Sequence, residues 1–200
     1  MQLIMSPASP FVRRVRVTIR EVGITDLVEE VPVTTTPLAS APEAAAANPS
    51  GKIPSLLRED GPAIHDSRVI CRYLNAVADA RLYPESRIWE VLTLEATGDA
   101  LMEAAVSMVY EARFKGTEGA SADWIAAQWV KVVRILGALE SRWMSHLMGP
   151  VDAGQIAVAS GLEYIDFRLP DRDWRVLAPA LAGWLETFAQ RPSMQATRPG

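Results

Sequence analysis

At 200 residues, with 49% apolar and 22% charged residues, the chain has the make-up of a soluble globular protein of one large domain or two small ones. Twenty basic against 24 acidic residues give a formal charge of −4, which argues against nucleic acid or an anionic membrane as partner, and no apolar run approaches the roughly 20 residues that span a bilayer. One cysteine excludes an internal disulfide framework and, with only two histidines, is too little for a structural zinc site; no metal is expected, and with no secretory signal at the N-terminus the expected compartment is the cytoplasm.

Gln2-Leu3-Ile4-Met5 is a short apolar run and predicts a strand. Ser6-Pro7-Ala8-Ser9-Pro10-Phe11 follows, and then Val12, Val15, Ile19 and Val22 recur at helical spacing, with Arg13, Arg16 and Arg20 placed on the opposite face. Pro10 suits the first helical position, where a missing N–H costs nothing, so Ser9 falls at the N-cap and Gly23 at the C-terminal end. A helix N-terminus with a hydroxyl and free N–H groups aimed at one spot favours an anion. Most serines in this position do nothing more than cap, so the rest of the chain has to supply the other contacts of a ligand.

Leu27 to Val33 predicts a second strand ending near Pro32, and Glu43 to Ala47 a short helix started by Pro42 and stopped by Asn48-Pro49. Asn48-Pro49-Ser50-Gly51-Lys52-Ile53-Pro54 is too rich in Pro and Gly for regular structure. Ser55 to Arg58 and Ala63 to His65 flank Glu59-Asp60-Gly61-Pro62 as a hairpin. Asp66-Ser67 then caps a helix with Val69, Ile70, Tyr73, Leu74 and Val77 along one face. Cys71 sits within that helix and reads as a buried, inert thiol.

Residues 79–87, with Pro84, read as a linker, after which no strand is predicted. Ile88 to about Phe114 reads as one long helix broken by Lys115-Gly116-Thr117-Glu118-Gly119. Ser121 caps the next, where Ile125, Trp129, Val132, Leu136, Leu139 and Trp143 make a core stripe of a helical bundle. Asp152-x-x-Gln155 is a capping box opening a helix through Ile165, and Pro179 starts a last helix carrying Leu181, Trp184, Leu185 and Phe188.

The order β-α-β-α-β-β-α with a proline just before the third strand resembles the thioredoxin fold. Taken with Ser-Pro-x-Ser-Pro-Phe-x-Arg-x-Val-Arg, Asn-Pro-x-Gly-Lys-Ile-Pro and Asp-Ser-Arg-Val-Ile, nearly the whole chain resembles a cytosolic glutathione S-transferase of the serine type, with a zeta- or omega-like first motif. The resemblance implies an α/β thioredoxin-like domain over residues 1–78, a linker over 79–87, and an all-helical bundle over 88–200. It implies glutathione as co-substrate, with Ser9 donating a hydrogen bond to its thiolate. Ser6 is the rival, but it lies before the turn and not at the cap. Matching Arg14-Val15-Arg16 to the family's Arg-Val-Arg puts Ser9 on the activating serine of zeta-like members and on the reactive cysteine of omega-like ones.

The same resemblance gives the other contacts of glutathione. Asp66 and Ser67 answer the γ-glutamyl end, where the family more often carries Glu-Ser. Ile53 with a cis Pro54 answers the cysteinyl backbone, Lys52 meets the glycine carboxylate or is merely solvated, and Phe11 adjoins the ligand. The electrophile is expected between Ser9 and the long helix, against Met102, Val106, Tyr110, Arg113 and Phe114, some of which belong equally well to a bundle core. A homodimer and a small hydrophobic electrophile are the implied partners, with glutathione-dependent peroxide or disulfide reduction open to the same sulfur. A non-catalytic binding or assembly protein is the alternative reading. A thiol–disulfide enzyme using its own cysteine is disfavoured by serine at position 9.

Overall fold

The computed structural model describes residues 1–199, and the chain divides into two compact units. One comprises Met1–Ile88 with the residues from Pro192 on, the other Trp89–Arg191.

The first unit is built on four strands, β1 (Gln2–Met5), β2 (Glu29–Pro32), β3 (Ser55–Arg58) and β4 (Gly61–Ile64), in the order β2-β1-β3-β4. β1 runs parallel to β2 and antiparallel to β3, which runs antiparallel to β4. Alternation along β1 decides what packs where. Leu3 and Met5 face α1 (Pro10–Glu21) and α3 (Ser67–Val77) in a cluster with Val12, Val15, Ile19, Leu56, Ile70 and Leu74. Ile4 points the other way and packs on Ala41, Ala44 and Ala47 at α2 (Pro42–Ala47), where only small side chains let the short helix approach. A 3-10 turn at Thr25–Leu27 connects α1 to β2, and α9 (Pro192–Gln195) completes the unit.

Two details differ from the periodicity reading. Val69 and Val77 are 51% and 45% exposed, and the buried face of α3 is Ser67, Ile70, Cys71 and Leu74. Arg13 is 2% exposed, not on a solvated face. Its guanidinium reaches the backbone carbonyl of Met194 at 3.3 Å, so α9 supplies the acceptor that makes burial of that charge tolerable. Arg16 and Arg20 do remain at the surface, where both bond Glu30 of β2.

The second unit is helical: α4 (Ile88–Gly119, entered from the first unit), α5 (Ala122–Ala138), α6 (Met144–Leu147), α7 (Ala153–Arg168) and α8 (Pro179–Phe188). Gly116, at φ 67°, interrupts α4 where the sequence predicts a break. One π turn over Leu139–Trp143 follows α5 and lets Leu139 stay in the core with Val132 and Leu136. α7 is buried on nearly every face, which suits its apolar composition. The capping box at its start is complete. Asp152 accepts from the N–H groups of Gly154 and Gln155, and the Gln155 side chain accepts from Asp152 N. α4 crosses α7 at Gly98, where a Cβ would stand 2.7 Å from Ala157. Any larger residue there would push the two helices apart.

The Glu30 cluster makes a testable contribution to stability. Partial burial pushes its carboxyl up, but the bonds and charges of Arg16 and Arg20 together outweigh this and hold it below its ordinary value. Stability from this source is therefore full above the unfolded carboxyl's pKa and lost as pH falls through the lower folded one. In Glu30→Gln, denaturant unfolding at neutral pH should show a loss of roughly 0.5–1.5 kcal/mol, and the gap from the parent should close between about pH 5 and pH 3.

Candidate functional site

The strand register brings three loops to one end of the sheet. Ile4 pairs with Ser55, so the chain leaving β1 and the chain entering β3 lie side by side. Ile64 pairs with Leu56, so the chain leaving β4 arrives at the same end. Ser9, Lys52, Ile53, Pro54, Asp66 and Ser67, which lie far apart in sequence, are thus collected there.

In the first loop the N–H of Ser9 donates to the Ser6 carbonyl at 3.1 Å, closing a turn, and the Ser9 carbonyl accepts from Arg13 N at 2.9 Å. Ser9 is the N-cap (φ −85°, ψ 127°) with Pro10 first in the helix. Its Oγ accepts from Val12 N at 3.3 Å, which leaves the hydroxyl proton to be donated outward. Ser9 and Phe11 are both half-buried. Ser6 stands at the opposite end of the turn and caps nothing.

The second loop is pinned by its own side chains. Buried Asn48 donates Nδ2 to the Lys52 carbonyl at 3.0 Å and accepts from Ser50 N and Oγ at 2.9 Å. Ser55 Oγ donates to the same Lys52 carbonyl at 3.3 Å. The Lys52 side chain is exposed, and the Ile53–Pro54 peptide bond is cis. β3 begins only at Ser55, so Ile53 stands just outside the ladder.

In the third loop Asp66 caps α3, its Oδ1 accepting from Arg68 N at 2.8 Å while the carboxylate stays exposed. The His65–Asp66 bond is also cis, a feature that nothing in the sequence signals. Ser67 is buried, and its Oγ accepts from Nη2 of Arg14, itself 1% exposed. A guanidinium has only donors, so Ser67 must accept from it and keeps its own proton for another acceptor. Sequence reasoning missed this link between α1 and α3. Arg14 is one of four arginines within eight residues, and composition does not say which of them turns inward.

Cys71 is 1% exposed, in the core, with the Thr18 hydroxyl donating to its sulfur at 3.3 Å. In the second unit Met102 is fully buried against Gly161 of α7. Val106, Tyr110 and Phe114 are half-buried and Arg113 is exposed, with the Tyr110 and Phe114 rings 5.2 Å apart. Tyr164 lies near them, and burial pushes its hydroxyl up to about 12, the charges of Arg168 and Arg113 opposing only in part. Among the described residues no group of three His, Cys, Asp or Glu side chains is placed to hold a metal ion, and no helix is long and apolar enough to cross a membrane.

Comparison with known proteins gives matches over both units. Residues 8–77 match the family model for the glutathione S-transferase N-terminal domain, and residues 122–187 match that for the C-terminal domain. The chain is 31% identical to a GST-like protein of Escherichia coli K12, YibF, over all of this chain and 98% of that one. A glutathione transferase family member from Pseudomonas fluorescens Pf-5, solved with bound glutathione, superposes with a TM-score of 0.95 at 38% identity, covering 100% of this chain and 98% of the other. The same organism's protein solved with S-(propanoic acid)-glutathione gives 0.92 at 38% identity, with 100% and 99% covered.

The two residues at the α3 cap should separate by their effect on the fold. Ser67→Ala leaves a buried guanidinium N–H short of its acceptor and should cost about 1–2 kcal/mol, a fall in Tm of several degrees. Asp66→Asn keeps an N-cap acceptor and should leave Tm nearly unchanged. Thermal unfolding of both variants, followed by circular dichroism, checks the contrast.

Proposed function

Since this chain belongs to the glutathione S-transferase family, we propose that it binds glutathione at the sheet end where the three loops meet and activates its thiol for attack on a second substrate. The observation that carries this reading is the convergence of Ser9, the cis Ile53–Pro54 bond and the Asp66–Ser67 cap at that one place. Support comes also from the Pseudomonas relative, which holds glutathione.

Each loop answers one part of a zwitterionic tripeptide. The exposed Asp66 carboxylate offers an acceptor for the γ-glutamyl ammonium, while the Ser67 hydroxyl and the positive end of α3 favour the neighbouring carboxylate. Ile53, outside the ladder, offers backbone groups to the cysteinyl residue as a strand would, and Lys52 a cation to the glycine carboxylate. Phe11 adds apolar contact beside the ligand.

Ser9 then faces the thiol. A free thiol ionises near pH 8.5, so little thiolate is present at neutral pH. A hydroxyl proton and the positive end of α1 both favour the anion and lower that value. The thiol proton leaves to solvent, the sulfur attacks the electrophilic atom, and the bond to the leaving group breaks as the thioether forms. Met102, Val106, Tyr110, Arg113 and Phe114 on α4 are the residues we assign to the second substrate, Met102 from beneath. The same sulfur can attack a peroxide oxygen, breaking the O–O bond to release the alcohol and leave a sulfenic acid, which a second glutathione thiol then attacks to close the disulfide as water leaves. The single buried cysteine suits the reducing cytoplasm as the place of action.

The working unit in this reading is a homodimer. It is supported by the apolar residues left at the surface, Val69 and Val77 of α3 and Trp89, 76% exposed. Sedimentation at micromolar concentration should give twice the 21.9 kDa of one chain, and a species of single-chain mass would contradict it.

Ser9→Ala tests the chemistry. Glutathione affinity by calorimetry should hold within a few fold, since the thiol is one contact among many, while turnover at neutral pH falls roughly tenfold or more, as loss of one charge-assisted bond implies. The deficit should narrow as pH rises and the thiol ionises unaided. If Ser6→Ala produces these changes and Ser9→Ala does not, the roles of the two serines are reversed.

A further inference from the structure

The backbone carbonyl of Lys52 receives two side-chain donors, and both are buried. Asn48 Nδ2 reaches it at 3.0 Å and Ser55 Oγ at 3.3 Å. The Asn48 amide can serve in one orientation only. The Ser50 N–H, 2.9 Å from its other end, needs an acceptor, so Oδ1 must face Ser50 and Nδ2 the carbonyl. Neither donor is loosely held. Asn48 ends α2 with its N–H on the Ala44 carbonyl at 2.9 Å, and its own carbonyl accepts from Gly51 N at 2.8 Å. Ala44 and Ala47 of that helix pack on Ile4, and Ser55 lies opposite Ile4 in the strand register. Both donors are therefore placed by one residue of β1, the strand that leads to Ser9.

The consequence falls on the next residue. The Lys52–Ile53 peptide is trans and planar, so its C=O and its N–H point in opposite directions. A carbonyl turned inward to two buried donors turns the Ile53 N–H outward. Among the described residues that N–H has no partner in the chain, and a backbone donor left in this way calls for a partner from outside. The Ile53 side chain packs against both apolar clusters of the unit, which holds the residue from its other side.

We propose that Asn48 and Ser55 are positioning residues for the cysteinyl part of glutathione, holding the Lys52 carbonyl inward so that the Ile53 N–H is aimed at the ligand's cysteinyl carbonyl. The assignment rests on the transferase reading above, and it adds the two side chains that fix the Ile53 donor in advance. A donor fixed before the ligand arrives loses no further freedom on binding, and that is what Asn48 and Ser55 contribute.

The test follows S-methylglutathione binding to the whole protein by calorimetry, and hydrogen exchange of the Ile53 amide by NMR at saturating ligand. In the parent protein the ligand should slow exchange of that amide by about tenfold or more. Ser55→Ala and Asn48→Ala should each weaken binding by about threefold to tenfold, the range for one neutral hydrogen bond. In both variants the protection that saturating ligand gives Ile53 should fall to about a third or less of the parent's. Ser55→Ala removes one donor and little volume, so it carries the test should Asn48→Ala fail to fold. Ser50→Ala leaves both bonds to the Lys52 carbonyl in place and should match the parent. Ile53 protection in Ser55→Ala equal to the parent's overturns the proposal, whatever happens to Tm or affinity. A loss in Ser50→Ala as large as in the other two also overturns it, because the loop as a whole would then be what matters. Binding to the parent that leaves the Ile53 amide unprotected removes the proposal and leaves the transferase reading standing. Failure of S-methylglutathione to bind the parent is a different result, which removes that reading and the ligand at which Ile53 is aimed.

Discussion

Ile4 of β1 lies opposite Ser55 of β3 in antiparallel register, and from that one pairing follows the gathering of the Ser9 turn and the Ile53–Pro54 loop at one end of the sheet. Because β3 runs back along β1, the loop before β3 is placed beside the turn after β1. Because β4 folds back on β3, the cap of α3 joins them. A parallel β3 would carry Ile53 and Pro54 to the far end of the sheet. The register is itself held by burial: Leu3, Met5 and Leu56 face α1 and α3 while Ile4 faces the alanines of α2, and a slip of one residue would exchange the two sets.

Within that frame the donors are arranged by what already occupies their other lone pairs. Ser9 accepts from Val12 N and Ser67 accepts from Arg14, so each hydroxyl is left with a proton to give. Both sit at the starts of helices whose first N–H groups have no partner inside the helix. Two helix starts thus lie at the same end of the sheet, one at Ser9 and one at Ser67. Burial of Arg14 behind Ser67 links the two, since α1 carries both Ser9 and the guanidinium that orients Ser67.

Much of this was legible in the sequence because it is written in local signals. Ser9-Pro10, Asp66-Ser67 and Asp152-x-x-Gln155 each announce a helix start, and each is observed as a cap. The hairpin at residues 55–64 and the break at Gly116 are equally local. What the sequence concealed depends on long-range packing. Periodicity places Arg13 opposite the apolar face and says nothing of Arg14, yet both are buried, with acceptors 181 and 53 residues away. Val69 and Val77 fit the apolar stripe of α3 but lie at the surface.

The central claim is that the fold at Ser9 makes glutathione a better nucleophile, and the ionisation of the bound thiol reports on it most directly. An ultraviolet difference titration of the saturated protein, against an S-methylglutathione blank, follows thiolate appearance with pH. The bound thiol should reach half-ionisation at least about one pH unit below the value near 8.5 of a free thiol, as a single charge-assisted bond and a helix start together imply. A bound thiol that titrates where free glutathione does would contradict the claim, leaving a protein that holds the tripeptide without activating it.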